Sequence, residues 1–199
     1  MVVIVVPLLI YTWPYALLFW AVFVWAFTPE FRVVSRPAEP WASAQDAGSK
    51  RLIVVGQGLA VAAAFTIALL APAGALPHRT VLFIAGVAAI VVGGLLRRHC
   101  KRMLGASFTG AVIVRPEQAV VERGAYRYVR HPSYTAGVIL FSGIGLALAN
   151  WIGLLILMVV VWGVYWYRVG VEERALQATI GDPYRRYMLR TKRFVPFLF

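Results

Sequence analysis

The sequence predicts an all-α integral membrane protein with five transmembrane helices, the last two forming a tight hairpin. Three observations lead there. The 199 residues are 61% hydrophobic and 14% charged, against roughly 45–50% and about 25% in soluble domains. The apolar residues fall into long runs, giving a mean hydropathy of +0.75. The basic residues fall between those runs, as they do around membrane spans. The length suits a single membrane domain, residues 1–199.

The first run, residues 1–27, carries no charge. At about 1.5 Å per residue it reaches ~40 Å, enough to cross a bilayer with tilt. Pro7 and Pro14 should kink it, and Thr28-Pro29-Glu30 should end it. A polar loop with Pro37 and Pro40 leads to a second span, 52–71, closed by Pro72-Ala73-Gly74. A third, 80–96, is broken only by small residues such as Gly86, Gly93 and Gly94, which let helices approach closely. The basic run Arg97-Arg98-His99-Cys100-Lys101-Arg102 then opens a loop to His131. Its apolar segments, 111–114 and 119–121, are expected to fold against the protein. Runs 133–149 and 151–167 are separated only around Asn150-Trp151, and each is short for a full span. The second should continue as a helix past the membrane surface to Ile180. There Gly181 reads as a helix stop and Pro183 as a first-turn proline, beginning an amphipathic helix to about Arg190.

Lys and Arg fix the orientation. Loop 28–51 holds four, 73–79 one, 97–131 eight and 168–199 seven. The positive-inside rule puts the first, third and fourth of these in the cytoplasm, with the N-terminus outside and the C-terminus inside. The net charge of +12 therefore reads as membrane orientation and lipid headgroup contact, not nucleic-acid binding. Cys100 is the only cysteine, and His78, His99 and His131 lie far apart, so no metal-ligand spacing exists. The long N-terminal run lacks a basic start and a small-residue cleavage pattern, so a retained span is expected.

Two polar stretches converge at the cytoplasmic ends of the last hairpin. The first ends Gly124-Ala-Tyr126-Arg-Tyr-Val-Arg130-His131-Pro132-Ser-Tyr134. Pro132 opens a helix, which places Arg130 and His131 at its N-terminus, where free N–H groups suit an anion. The second runs from Arg168 through Glu172-Glu173 to Tyr184, Tyr187, Arg193 and Pro196. Taken singly, an Arg168–Glu172 surface pair and an interfacial tyrosine belt would be ordinary features.

Together, the block Gln118-x-Val120-Val121-x-x-Gly124-x-Tyr126 running into Arg130-His131-Pro132-Ser133-Tyr134, and the later block from Arg168 to Pro196, resemble the isoprenylcysteine carboxyl methyltransferase family. That family has bacterial and archaeal relatives and is related to phospholipid N-methyltransferases. The resemblance covers about residues 118–196 and suggests a prokaryotic member in a bacterial or archaeal cell membrane. This chain departs from the usual pattern at Ala136, where glycine comes one residue later at Gly137, at Asn150-Trp151, and at Gln118, which is histidine in the eukaryotic enzymes.

The resemblance implies an S-adenosylmethionine-dependent methyltransferase acting on a lipid-like or lipidated acceptor, with the carboxylate of a prenylcysteine favoured. A phospholipid amine, a small thiol, or a nicotinamide-dependent membrane reductase of similar helical arrangement are the alternatives. Gln118, Val120, Val121, Gly124, Tyr126, Arg130, His131, Pro132, Tyr134, Glu172 and Glu173 are the expected cofactor residues. The helix start and Arg130 suit the cofactor carboxylate, and Glu173 a ribose hydroxyl or the ammonium. Tyr184, Tyr187 and Arg193 are expected at the acceptor. Arg168 and Arg193 would clamp a carboxylate, and His131 would serve as base for an amine or thiol.

Overall fold

A computed structural model describes residues 7–35 and 45–195. Six helices carry the architecture: α1 Tyr15–Val34, α2 Ser49–Leu70, α3 Arg79–Leu104, α4 Pro132–Leu148, α5 Trp151–Thr179 and α6 Asp182–Arg190. α1, α2, α3 and α5 are long and apolar enough to cross a membrane. α4, at 17 residues, is shorter and apolar. Among the described residues the only strand-like pairings are isolated bridges. Leu59, Leu70, Val81 and Val159 point outward, as expected where the surrounding solvent is lipid. Residues 1–6, Pro37, Pro40 and Pro196 lie outside the described residues.

The first helix differs from expectation at both ends. Leu9–Tyr11 form a short 3₁₀ turn and α1 starts only after Pro14, so Pro14 precedes the helix and does not kink it. Pro29 sits inside α1 and does not end it. Proline leaves the carbonyl four residues back without its N–H partner. Here that carbonyl belongs to Trp25, and the Arg98 guanidinium donates to it while lying over the Trp25 ring at 3.8 Å from its centroid.

α3 also runs further than expected, two turns beyond Leu96. Its basic residues stay helical because they find partners: Arg98 bonds Trp25, and Arg97 forks onto the Glu30 carboxylate. α3 and α4 pack backbone to backbone. A Cβ on Gly86 would lie 2.5 Å from the Gly143 carbonyl oxygen and 2.6 Å from the Ala147 nitrogen. Such contact is open only to small residues. Phe19, Phe83, Ile90, Leu140, Ile144 and Leu157 fill the core shared by α1, α3, α4 and α5.

At one end of the bundle Asn150 caps α5, its Oδ1 accepting from the N–H groups of Ile152 and Gly153 at 3.1 Å, while its Nδ2 donates to the Ala71 carbonyl at 3.0 Å. The turns after α2 and α4 are thereby tied together. At the other end α5, about 43 Å long, exceeds the ~30 Å apolar layer of a bilayer. Its last turns meet the 105–131 connection. Ala111, Val112 and Val114 are buried there, the valines against Val171, Leu176 and Ile180. Ala119 is exposed, while Val120 and Val121 are partly covered.

Candidate functional site

The two polar blocks are stitched together through their backbones. Gly124 has φ +60°, and a Cβ there would meet His99 Nε2 at 2.8 Å. The 3₁₀ turn Gly124–Arg127 follows. Val129 then pairs in parallel with Lys192. The Arg130 N–H donates to the Lys192 carbonyl at 2.7 Å and the His131 N–H to the Arg193 carbonyl at 2.9 Å. Thr135 Oγ1 donates to the Phe194 carbonyl at 2.7 Å. Tyr187, expected at the acceptor, gives its hydroxyl to the Tyr126 carbonyl at 2.6 Å and so holds the first block onto α6. Burial pushes the Tyr187 phenol up to about 12, which keeps it a donor at any ordinary pH. Pro132 opens α4 and is buried. The Tyr134 N–H donates to the His131 carbonyl and the His131 N–H to the Arg193 carbonyl, so this helix start offers an anion fewer free groups than expected.

The charged side chains differ from the sequence expectation in who holds whom. Glu173 is 2% exposed. It accepts from Arg130 Nε at 3.0 Å, approaches His131 Nε2 at 3.3 Å, and accepts from Arg193 Nε at 3.0 Å and Nη2 at 2.6 Å. One carboxylate thus bridges Arg130 of the first block and Arg193 of the second, and both of its oxygens are already engaged within the protein. Arg193 also lies over the Trp166 ring, 5.2 Å from its centroid. Glu172 turns the other way, accepting from the Tyr134 hydroxyl at 2.8 Å.

Arg168 does not pair with Glu172 along the helix. It reaches across to Asp46 Oδ1 at 2.5 Å and Ser49 Oγ at 2.6 Å, and to the Gly110 carbonyl at 2.9 Å. Asp46 in turn accepts from the Lys50 N–H at 2.9 Å and the Val112 N–H at 2.8 Å, and Gln45 Oε1 accepts from the Val114 N–H at 2.9 Å. Burial pushes the Asp46 carboxyl up, but those two N–H groups and the Arg168 guanidinium outweigh it and hold it below the usual aspartate value.

These contacts enclose a cavity. Gln118, Val120, Val121, Tyr126, Arg130, His131 and Tyr134 of the first block line it. Arg168, Glu172, Tyr184 and Tyr187 of the second block line it too. Gly124, Pro132, Glu173 and Arg193 are not on its wall. The expected pair of clamping arginines is therefore not formed: Arg168 reaches the wall already paired, and Arg193 is held outside it by Glu173. His131 lies between two carboxylates, its Nδ1 3.8 Å from Glu172 and its Nε2 3.3 Å from Glu173. The Tyr184 hydroxyl is buried without a hydrogen-bond partner among the described residues, and the Tyr126 hydroxyl has only the weak Cys100 thiol beside it. Burial pushes both phenols well above the ordinary range, so they remain donors. The rings and the Glu172 carboxylate suit a cationic ligand, and the two hydroxyl donors suit one that also carries hydrogen-bond acceptors.

A second cavity adjoins the first. Phe23, Phe27, Phe31, Val61 and Phe141 line it, and it shares Glu30, Ile53 and Arg97 with the polar one. At the junction Arg97 donates through Nη2 to Glu30 at 2.7 Å and through Nη1 to the Ser133 carbonyl and hydroxyl, each at 3.0 Å. Glu30, Arg97 and Asp46 are absent from the residues expected from sequence. An acid and an arginine, each at the end of an apolar run, were the available signal for the first two. Asp46, three residues before Ser49 at the start of an apolar run, carried a helix-start pattern.

The phospholipid methyltransferase family profile matches residues 81–182, just over half of the chain. Protein-S-isoprenylcysteine O-methyltransferase B of Arabidopsis thaliana is 34% identical over 115 residues, 57% of this chain and 58% of that protein. The Schizosaccharomyces pombe enzyme of the same name is 30% identical over 111 residues, 55% of this chain and 47% of that protein. The chain thus matches about half the length of these relatives. In fold it is similar to the solved eukaryotic intramembrane Ras methyltransferase, isoprenylcysteine carboxyl methyltransferase. The TM-score is 0.63 at 20% identity, covering 98% of this chain and 70% of that one.

Proposed function

Because the chain belongs to the phospholipid methyltransferase family, we propose that it transfers a methyl group from S-adenosylmethionine to the carboxylate of a prenylcysteine-type lipid. The observation that carries this reading is the meeting of two cavities at Glu30, Ile53 and Arg97. One carries the polar side chains of both motif blocks, and the other is lined by phenylalanines. A water-soluble cofactor and a lipid acceptor can each enter its own cavity and meet at the junction.

In this reading the polar cavity holds the cofactor, which when bound supplies an electrophilic methyl on a sulfonium. Tyr134 and Tyr126 present rings and Glu172 a negative charge to that cation. The Tyr126 and Tyr184 hydroxyls gain acceptors from the ligand. Arg97 takes the clamp role that the sequence suggested for Arg168 and Arg193, because it alone of the three lines both cavities. Glu30 holds its Nε and Nη2 and Ser133 its Nη1, which fixes its direction, and the second Nη2 N–H is what it has left to offer the acceptor carboxylate. A carboxylate with a pKa near 4 needs no base, which agrees with a His131 whose Nε2 is turned onto Glu173. Holding the two reactants in line supplies the rest, since proximity alone contributes several kcal/mol.

The membrane arrangement belongs to the same proposal: five spans counting α4, in one membrane domain, with the polar cavity and C-terminus cytoplasmic and the N-terminus outside. Support comes from the basic residues of 97–131 and 168–199.

Titration calorimetry of the purified protein with S-adenosylhomocysteine and with NADPH tests the assignment. Binding of the first alone is expected, and binding of NADPH alone would replace it with a reductase. Methyl transfer to N-acetyl-S-farnesylcysteine measured against a phosphatidylethanolamine then separates the acceptors.

A further inference from the structure

An acceptor carboxylate has two oxygens, and Arg97 has a single N–H left for them. The rest of its guanidinium is taken by Glu30 and Ser133. A carboxylate oxygen brought into an apolar cavity without a donor is costly, and lipid supplies no donor. A second donor on the cavity wall near Arg97 would complete the site.

Tyr165 stands there. It lines the apolar cavity together with Arg97, Glu30 and Gly137. Its ring packs on the Tyr134 ring, 4.9 Å between centroids, and Tyr134 lines the polar cavity. The hydroxyl lies over Gly137 on α4, where a Cβ would come within 2.2 Å of the phenol oxygen. Any larger residue at 137 would displace that hydroxyl, so the glycine that comes one residue late in the first block is what admits it. Gly137 is one turn beyond Ser133, about 6 Å along α4, and Ser133 is where Arg97 is held. Arg97 and Tyr165 are close enough to act on each other electrostatically. Gln57, on the same wall, serves the Tyr165 oxygen as a donor. The phenol still has its own proton to give, and among the described residues no acceptor takes it.

We propose that Tyr165 is an acceptor-binding residue: its hydroxyl donates to one oxygen of the acceptor carboxylate while Arg97 Nη2 donates to the other. With a charge-assisted bond of about 2.8 Å at each oxygen, a carboxylate can bridge donors about 6–7 Å apart. Two donors fix the plane of the carboxylate, which one donor cannot do, and they leave each oxygen a free lone pair. Orientation of this kind is worth most where two reactants must meet in line. The same pair turns away an ammonium, which has no acceptor to offer an O–H and is repelled by Arg97. The inference rests on the reading of the apolar cavity as the acceptor site, and adds the residue that completes it.

The test is Tyr165→Phe, which removes only the oxygen and keeps the ring against Tyr134. Two compounds are compared, N-acetyl-S-farnesylcysteine and N-acetyl-S-farnesylcysteamine, which is the same molecule without its carboxyl group. Their binding to the detergent-purified full chain is measured without cofactor, by displacement of a fluorescent isoprenoid that carries no carboxylate. The wild type should bind the acid more tightly than the cysteamine compound. Tyr165→Phe should bind the acid about tenfold more weakly than wild type does, and the cysteamine compound within twofold of wild type, which also shows that the variant is folded. Equal weakening of both compounds, an unchanged acid affinity, or a wild type that does not prefer the acid would overturn the inference. S-adenosylhomocysteine calorimetry on the same preparations keeps the two ideas apart. A wild type that binds it but does not prefer the acid loses this inference and keeps the methyltransferase reading. Selective loss of the acid in Tyr165→Phe, with no S-adenosylhomocysteine binding by either protein, keeps the inference and loses that reading.

Discussion

Asp46→Asn puts the largest demand on the structure. The substitution keeps the side-chain volume and one carbonyl oxygen, and removes the charge that faces Arg168. The two side chains are 5% and 8% exposed and 2.5 Å apart, so bulk water does not make up for the lost charge. Removing one side of a buried pair costs about 3–5 kcal/mol, mostly because the other charge is stranded. At about 2–4 °C per kcal/mol for a chain of this size, the melting temperature should fall by roughly 10 °C. Thermal unfolding in detergent, followed by tryptophan fluorescence, reads this directly. Asp182→Asn is the control, since its pair with Arg185 is 75% and 64% exposed and should contribute close to nothing. The pH dependence has a definite sign. The Asp46 carboxyl is held below its ordinary value of 3.8, so the wild-type advantage should be complete above about pH 5 and shrink as pH falls through that value toward the lower folded one. Because Asp46 and Gln45 also pin residues 112–114 on the cavity wall, S-adenosylhomocysteine affinity should fall with stability. A melting temperature within a degree of wild type would refute the argument that this pair joins α2, α5 and the cavity wall.

Four other outcomes are expected. Glu173→Gln should lower the melting temperature as strongly as Asp46→Asn, because it leaves Arg130, His131 and Arg193 around a neutral amide; a stable variant with weakened cofactor binding would instead restore Glu173 as a ligand-facing residue. Gly86→Ala should cost at least about 1–3 kcal/mol by forcing α3 from α4, whereas Gly58→Ala, with nothing within 4 Å of the new Cβ, should be near neutral in the same unfolding assay. Cysteines placed at Gln118 and Gln177, after replacement of Cys100, should be shielded from an impermeant thiol reagent in intact cells, and labelling from outside would invert the proposed orientation. In single-turnover methyl transfer at saturating cofactor, the rate should stay flat from about pH 6 to 8 for a carboxylate acceptor. There Arg97→Lys should lose more than tenfold in rate and Arg193→Lys much less. The opposite ranking would return the clamp to Arg193.

What the sequence determined by itself was local or compositional. The membrane class follows from the length and apolarity of the runs, because only a helix satisfies its own backbone in lipid. Pro132 opening α4 and Gly181, at φ +70°, preceding α6 are backbone effects confined to a few neighbouring residues, so residue type alone signals them. The convergence of the two blocks follows from the short connection between α4 and α5, which returns the chain to the end it left. The partners of the charges were decided only by tertiary structure. Arg168 has Glu172 four residues away and pairs instead with Asp46, 122 residues distant. Glu30 and Arg97 stand 67 residues apart and meet because α1 packs on α3. Helical period says which residues share a face, but not which helix that face will meet, and the Coulomb energy of a buried pair depends on that separation. For the same reason the sequence could place Arg193 beside the second block but not show that Glu173 would hold it off the cavity wall, leaving Arg97 at the junction.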